Sequence, residues 1–282
     1  MPDDLLVLFE VFPYAIAAGL IISTVCALLG VFVVLKRVVF IGITLSQTAA
    51  AGIALAFLLG LPSMLGAGVL TMLTVVMLAI PYESRRVPRD AALGAAFLFS
   101  SALSILIVSK SGFGLAEVQA LLYGDLIVTS ARDFRNVMWF LAPVLVVFLA
   151  FLRPIYCVFL DRDQAVVLGL RAGVWELLFF CLLGLATSGA SKVGGALLVF
   201  SYLTVPAMIG LMHASRLSSV MAVSVAVALL ATIAGIYVSY ITDLPTNQVI
   251  IVLQCLMLVA GVLVRAALPF AWRVRTSWPR AR

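Results

Sequence analysis

Apolar runs alternate with short polar breaks along almost the whole chain, and nine of them approach the 20 or so residues that a helix needs to cross a bilayer core. They lie at roughly residues 12–35, 41–61, 64–82, 91–109, 136–159, 174–190, 193–212, 218–240 and 248–268. In hydrocarbon the backbone N–H and C=O groups must be paired within their own segment, so runs of this length predict α-helices. No polar stretch between them is long enough to fold by itself. The pattern predicts an all-α, polytopic transmembrane helical bundle that takes up residues 1–282 as a single domain.

Composition sharpens this picture. The chain is 65% hydrophobic and 11% charged, so any soluble machinery it works with belongs to other chains. The net charge of +6 would suggest nucleic acid in a soluble protein. Here Lys and Arg cluster at the ends of the apolar runs, where they set orientation, and no nucleic-acid face is needed. An outside N-terminus puts 14 of the 18 basic residues on the cytoplasmic side, from Lys36 and Arg37 to a basic tail at 269–282. Only Lys110, Arg132, Arg135 and Lys192 then fall outside. The acidic start (Asp3, Asp4, Glu10) lacks the basic n-region of a secretory signal, so no cleaved leader is expected. Cys26, Cys157, Cys181 and Cys255 stand alone in apolar surroundings and read as small hydrophobes.

The second run, Ile41 to Leu61, concentrates its polar groups near one end. Gly42, Ser46, Ala50 and Ala54 recur every four residues, a stripe of small side chains where another helix can approach closely. Thr44, Gln47 and Thr48 lie beside it. An amide in hydrocarbon needs partners, so this face is expected to look at protein or water; Gln47 is either interhelical glue or part of a pathway wall.

The connection from Lys110 to Arg135 contains LAEVQALLYGDL, too polar to span and too apolar for a free loop, and is expected to pack on the outer face as a short helix or re-entrant piece. On the inner side Asp161 to Gly173, DRDQAVVLGLRAG, sets Ala165, Val166, Val167 and Leu168 between charged ends, with Gly169 placed to end a short helix. It reads either as a knob that docks on a soluble partner or as a plain amphipathic connector. The seventh run opens with Gly194 and Gly195 and carries Pro206. Proline displaces the carbonyl of Tyr202, so a kink or interruption is expected at Pro206. Ser201, Tyr202 and Thr204 supply polar groups nearby, making this helix a second candidate pathway wall.

Catalytic motifs are missing. The chain has no phosphate-binding G-x-x-x-x-G-K-[ST] loop, no H-E-x-x-H and no G-x-S-x-G. With a single histidine, His213, at the cytoplasmic end of the seventh run, no histidine cluster for a metal can form; His213 is given a surface or hinge role. The spanning runs hold no acidic or histidine side chain at mid-membrane for a coupling ion. A pore without its own energy source, but with a docking knob, suggests a permease driven by a separate nucleotide-hydrolysing subunit. An ion-coupled carrier or passive channel working without an ATPase is the competing reading.

Several stretches carry a resemblance. GVFVVLKRVVFIGITLSQTAAAGIALAFLLG from Gly30, LLYGDLIV from Leu121, SKVGGALLVFSYLTVPAMIG from Ser191 and Asp243-Leu-Pro-Thr follow, in order and over nearly the whole chain, the pattern of the zinc and manganese class of ABC importer permeases, the ABC-3 family. The resemblance implies a type II-like importer in the bacterial inner membrane. Two copies of this permease would stand above two ATPase subunits that use ATP and magnesium, with a periplasmic solute-binding protein on the far side. It places a coupling helix at Asp161, Ala165, Leu168, Gly169 and Arg171, and a translocation pathway along Ile43, Thr44, Gln47, Thr48, Ser201, Thr204 and Pro206. No cofactor or resident metal is implied for this chain. The pore-facing aspartate and histidine of the family fall here on Ile43 and Gln47, which cannot ligate a bare divalent cation as that pair would. A chelated metal or related small complex is therefore the expected cargo, with a free zinc or manganese ion the alternative.

Overall fold

A computed structural model describes residues 12–79, 89–110, 124 and 126–267. All of the regular structure among these residues is helical, in ten elements: α1 (Pro13–Leu35), α2 (Val39–Leu59), α3 (Ser63–Ala79), α4 (Arg89–Lys110), α5 (Ala131–Ala150), α6 (Leu152–Leu160), α7 (Arg162–Val167), α8 (Ala172–His213), α9 (Leu217–Thr242) and α10 (Thr246–Ala267). The tail at 269–282 and most of the outer segment lie outside the described residues.

The expected run at 136–159 is divided at Phe151 into α5 and α6. The reason stands three residues on: the ring of Pro154 opposes the carbonyl of Ala150, so the helix ends before it and restarts. Among the described residues six helices are long and apolar enough to cross a membrane, and two shorter apolar helices, Ser63–Met77 and Ala91–Ile107, accompany them.

α8 runs for 42 residues and is interrupted at Gly195, whose φ of 68° and ψ of 164° suit glycine alone. Its direction reverses there. Phe179 on the first limb stacks near Phe32 of α1, with ring centroids 6.0 Å apart. Leu203 on the second limb meets Gly30, two positions back on α1. A straight helix would hold positions 179 and 203 about 36 Å apart, so the limbs 172–194 and 196–213 fold back on each other. Counting both limbs, the described residues supply the nine apolar segments of the hydropathy pattern. The interruption expected at Pro206 is not there, since Gly195 is the one residue of α8 with non-helical angles. The reversal needs a positive φ, and that falls to the second of the paired glycines.

From the turn at Gly194 to the end of its second limb, α8 is held in parallel register with α10 at three levels, each pairing residues 53 apart in sequence. Asn247 Nδ2 donates to the carbonyl of Gly194 (3.0 Å), Ser201 Oγ donates to Gln254 Oε1 (2.7 Å), and Arg265 Nη1 donates to the carbonyl of Met212 (2.5 Å). The last of these satisfies an end carbonyl of α8. Beside it, His213 is half-buried against Gly261, and its Nδ1 donates to the carbonyl of Ile209 (3.0 Å). Its expected place at a helix end holds.

Candidate functional site

Two places gather the groups that an energised membrane machine would need: the face of α2, and the end of the bundle that carries most of the basic residues.

On α2 the small-residue stripe meets its partner as expected. Gly42 packs on Leu203 and Phe200 of the second limb of α8. A second close approach, not legible as part of that stripe, joins Gly52 to Gly66 of α3, each glycine lying against the other's carbonyl. Thr44 and Thr48 are buried and turn toward α4: Thr44 Oγ1 donates to the carbonyl of Leu93 (3.1 Å), and Thr48 Oγ1 lies 3.2 Å from Ser100 Oγ. These hydroxyls do the gluing that was one reading of Gln47. Gln47 is 4% exposed, and among the described residues its Oε1 has no hydrogen-bond partner. It shares a helix face with Phe40, Ile43, Ala54 and Leu58. The ends of that face, Phe40 and Leu58, are exposed, and Ile43 is half-buried.

The other pathway candidates lie elsewhere in the bundle. Ser201 points at α10 through Gln254, while Thr204 Oγ1 turns back on the carbonyl of Phe200 (2.9 Å) and Pro206 is buried. Within one chain, Ile43 and Gln47 lie on a face that ends in exposed Phe40 and Leu58, Ser201 and Thr204 lie on a face of the second limb that ends in exposed Leu197 and Met208, and Thr44, Thr48 and Pro206 are turned into the bundle.

At the basic end, α7 is a six-residue helix closed at both ends by its own sequence. Asp161 Oδ1 accepts from the N–H groups of Asp163 (3.0 Å) and Gln164 (3.1 Å), an N-cap. At the other end Gly169, with φ of 81°, donates its N–H to the carbonyl of Val166 (2.9 Å), and Leu170 donates to Ala165 (3.0 Å). That pair of bonds is a Schellman motif, with the glycine where the sequence put it. Ala165 turns inward and is buried, so it anchors the knob and offers no surface. The surface is Val166, Val167 and Leu168, the last two 87% and 72% exposed. Arg171 is exposed beside them.

Behind the knob lies an aromatic cluster that the sequence did not reveal. Phe159 of α6 lies 4.7 Å from Phe179 of α8 and 6.0 Å from Phe32 of α1, centroid to centroid, and Phe32 lies 5.3 Å from Phe148 of α5. Edge-on pairs of this kind add about 0.5–1.5 kcal/mol each beyond their burial. Glu176 at the start of α8 accepts from Lys36 (2.7 Å), lies 3.9 Å from Arg162 Nε of α7, and so connects α1, α7 and α8. Lys36 also stands over the ring of Phe159, 5.2 Å from its centroid. These four phenylalanines are scattered over three apolar runs, and only the fold brings them together.

At the opposite end, Lys192 and Asp133 form an ion pair at 2.7 Å. The backbone of Gly124 there lies directly on Val193, Gly194 and Gly195. Asn247 is buried and links this corner: besides its bond to Gly194, its Oδ1 accepts from the N–H of Leu126 (3.3 Å).

The comparisons with known proteins agree with this arrangement. The sequence profile of the ABC 3 transport family matches residues 8–265. A probable iron transport system membrane protein of Haemophilus influenzae is 28% identical over 264 residues, covering 91% of this chain and 92% of that protein. The chelated iron transport system membrane protein YfeC of Yersinia pestis is 28% identical, covering 86% of this chain and 82% of its own length. The manganese transport system membrane protein MntC of Halalkalibacterium halodurans is 26% identical, with 88% and 85% covered. Among solved structures, PsaBC from Streptococcus pneumoniae in complex with Fab superposes with a TM-score of 0.84 at 20% identity, covering 97% of this chain and 98% of that one. An inward-facing conformation of a putative metal-chelate type ABC transporter gives 0.70 at 19%, with 95% and 91% covered. At such identities the structural likeness speaks for the fold alone.

Proposed function

This chain belongs to the ABC 3 transport family, and on that premise we propose that it is the permease subunit of an ATP-driven metal importer. In this reading two copies enclose the pathway in the bacterial inner membrane. Separate ATPase subunits dock on the basic, cytoplasmic end, and a periplasmic binding protein delivers cargo to the other. The observation that carries the reading is the α7 knob: exposed Val166, Val167 and Leu168 on a capped helix that Phe159 and Glu176 tie into the core. Such a knob passes a push to α1 and α8 without bending. An apolar tip exposed between charged flanks suits a groove on a covering protein.

The test is reconstitution with an ATPase subunit of the same transporter class from the same organism. Val167→Asp puts a charge into the docking contact; it abolishes stimulation of ATP hydrolysis and uptake, about a tenfold loss or more, while the thermal midpoint of the permease stays put. Full stimulation by Val167→Asp sinks the docking assignment. Uptake by liposomes that hold this chain without an ATPase establishes the carrier or channel reading in its place.

Cargo follows from Ile43 and Gln47. A neutral amide with a free buried oxygen beside an apolar side chain suits a metal that keeps its own ligands better than a bare cation. Uptake of a ferric or zinc chelate is expected to exceed that of the free ion, and Ile43→Asp with Gln47→His shifts the preference toward the free ion. Free zinc or manganese moving as fast as the chelate through the parent protein contradicts this.

A further inference from the structure

We infer that Arg37, at the corner between α1 and α2, is a second docking contact for the ATPase and grips a carboxylate on the rim of the groove that receives the α7 knob; the inference rests on the docking reading above. Its backbone is the first sign. Arg37 has φ of 58°, the left-handed region in which a Cβ is strained. α1 closes there in a full Schellman motif, with Arg37 N–H bonded to the carbonyl of Val34 (3.0 Å) and Val38 N–H to Val33 (3.1 Å). Gly60 and Gly169 fill the left-handed position after α2 and α7, with φ of 65° and 81°. A glycine would close α1 with less strain, so the arginine is kept at a conformational cost, and strain of this kind collects at functional positions.

The surroundings indicate the kind of partner. Lys36, the preceding residue, is held by Glu176, which also faces Arg162 at the start of α7, so the corner and the knob share one ion network. Lys36 is thereby neutralised. Arg37 is exposed, and among the described residues its guanidinium has no carboxylate partner. Arg162 and Arg171 are exposed on the flanks of Val166–Leu168, beside two carboxylates, exposed Asp163 and the half-buried N-cap Asp161, whose Oδ1 is engaged by the N–H groups of the first turn. An apolar tip inside a mostly basic rim fits a groove with acidic edges, and a guanidinium forks onto a carboxylate in two parallel bonds. Anionic lipid phosphate could meet the same chemistry at this depth, and the experiment separates it.

The measurement is ATPase binding and stimulation with the permease in nanodiscs of neutral lipid. Arg37→Gly is expected to raise the thermal midpoint of the permease by about 2–4 °C through relief of strain, and yet to weaken ATPase binding about three- to five-fold. The parent protein's binding should fall with added salt more steeply than the variant's. Arg37→Lys keeps the charge and the strain, and falls between the two. A normal affinity for Arg37→Gly while Val167→Asp has lost it overturns the role of Arg37 alone. Loss of neither overturns the docking reading as well. A defect that appears only when anionic lipid is present assigns the guanidinium to the membrane and overturns the contact proposed here.

Discussion

Gly30→Ala unfolds the bundle at a far lower temperature than the parent chain, whereas Gly94→Ala leaves it at least as stable. A Cβ on Gly30 would fall on the backbone carbonyl of Leu203, at the crossing of α1 with the second limb of α8. Side chains can turn aside, but here the obstacle is main chain inside a helix, so the two helices must move apart along their length. The cost stands at the upper end of overpacking, about 3 kcal/mol or more. Gly94 in α4 has nothing among the described residues within 4 Å of the added atom, so alanine there gains helix propensity, of order 0.5–1 kcal/mol. Circular dichroism melts of the two variants in detergent make the comparison. Equal midpoints contradict the close approach of α1 and α8.

Asn247→Ala comes next in expected size. It removes the partner of the Gly194 carbonyl, which the reversal at Gly195 leaves outside the regular helix ladder, and of the N–H of Leu126. A buried group left unpaired costs about 1–3 kcal/mol, so the variant loses about 2 kcal/mol or more of stability. The damage is local: amides around 194–199 and 126–129 exchange faster with solvent deuterium, while α6, at the other end of the bundle, keeps its protection. Thr242→Ala, which gives up only an exposed bond to the carbonyl of Val238, serves as the control and stays close to the parent. A uniform rise in exchange across the protein tells against Asn247 as a local staple.

Sequence patterning carried the fold a long way because hydrocarbon leaves few choices. A run of 20 apolar residues must be a helix, and charge at its ends orients it. Gly169 was legible as a helix stop because only glycine closes a Schellman motif without strain, and the same reasoning, turned round, makes Arg37 conspicuous. The interruption in the seventh run was expected at Pro206 and stands at Gly195. Proline removes one bond from a helix whose neighbours can absorb the loss; a reversal demands angles that proline cannot adopt. The site was less legible than the fold. Thr44 and Thr48 share a sequence neighbourhood with Gln47, yet a helix turns them toward α4, and no spacing rule says where α4 stands. Ala165 looked like part of the knob's surface and proved to be its root, because on six residues one face must point inward. Asn247 just precedes the last predicted apolar run, where a polar residue at a boundary invites no comment.

The three rungs that tie α8 to α10 have a mechanical consequence. Val252, Leu256, Val259 and Leu263 make much of α10 an exposed apolar surface. Because Gln254 and Arg265 clamp α10 to the second limb while Asn247 holds it to Gly194 on the near side of the turn, the limb cannot swing about Gly195 without straining α10 or carrying its apolar face along. Friction and lateral pressure in the surrounding membrane therefore act on that motion directly, as a load on a lever.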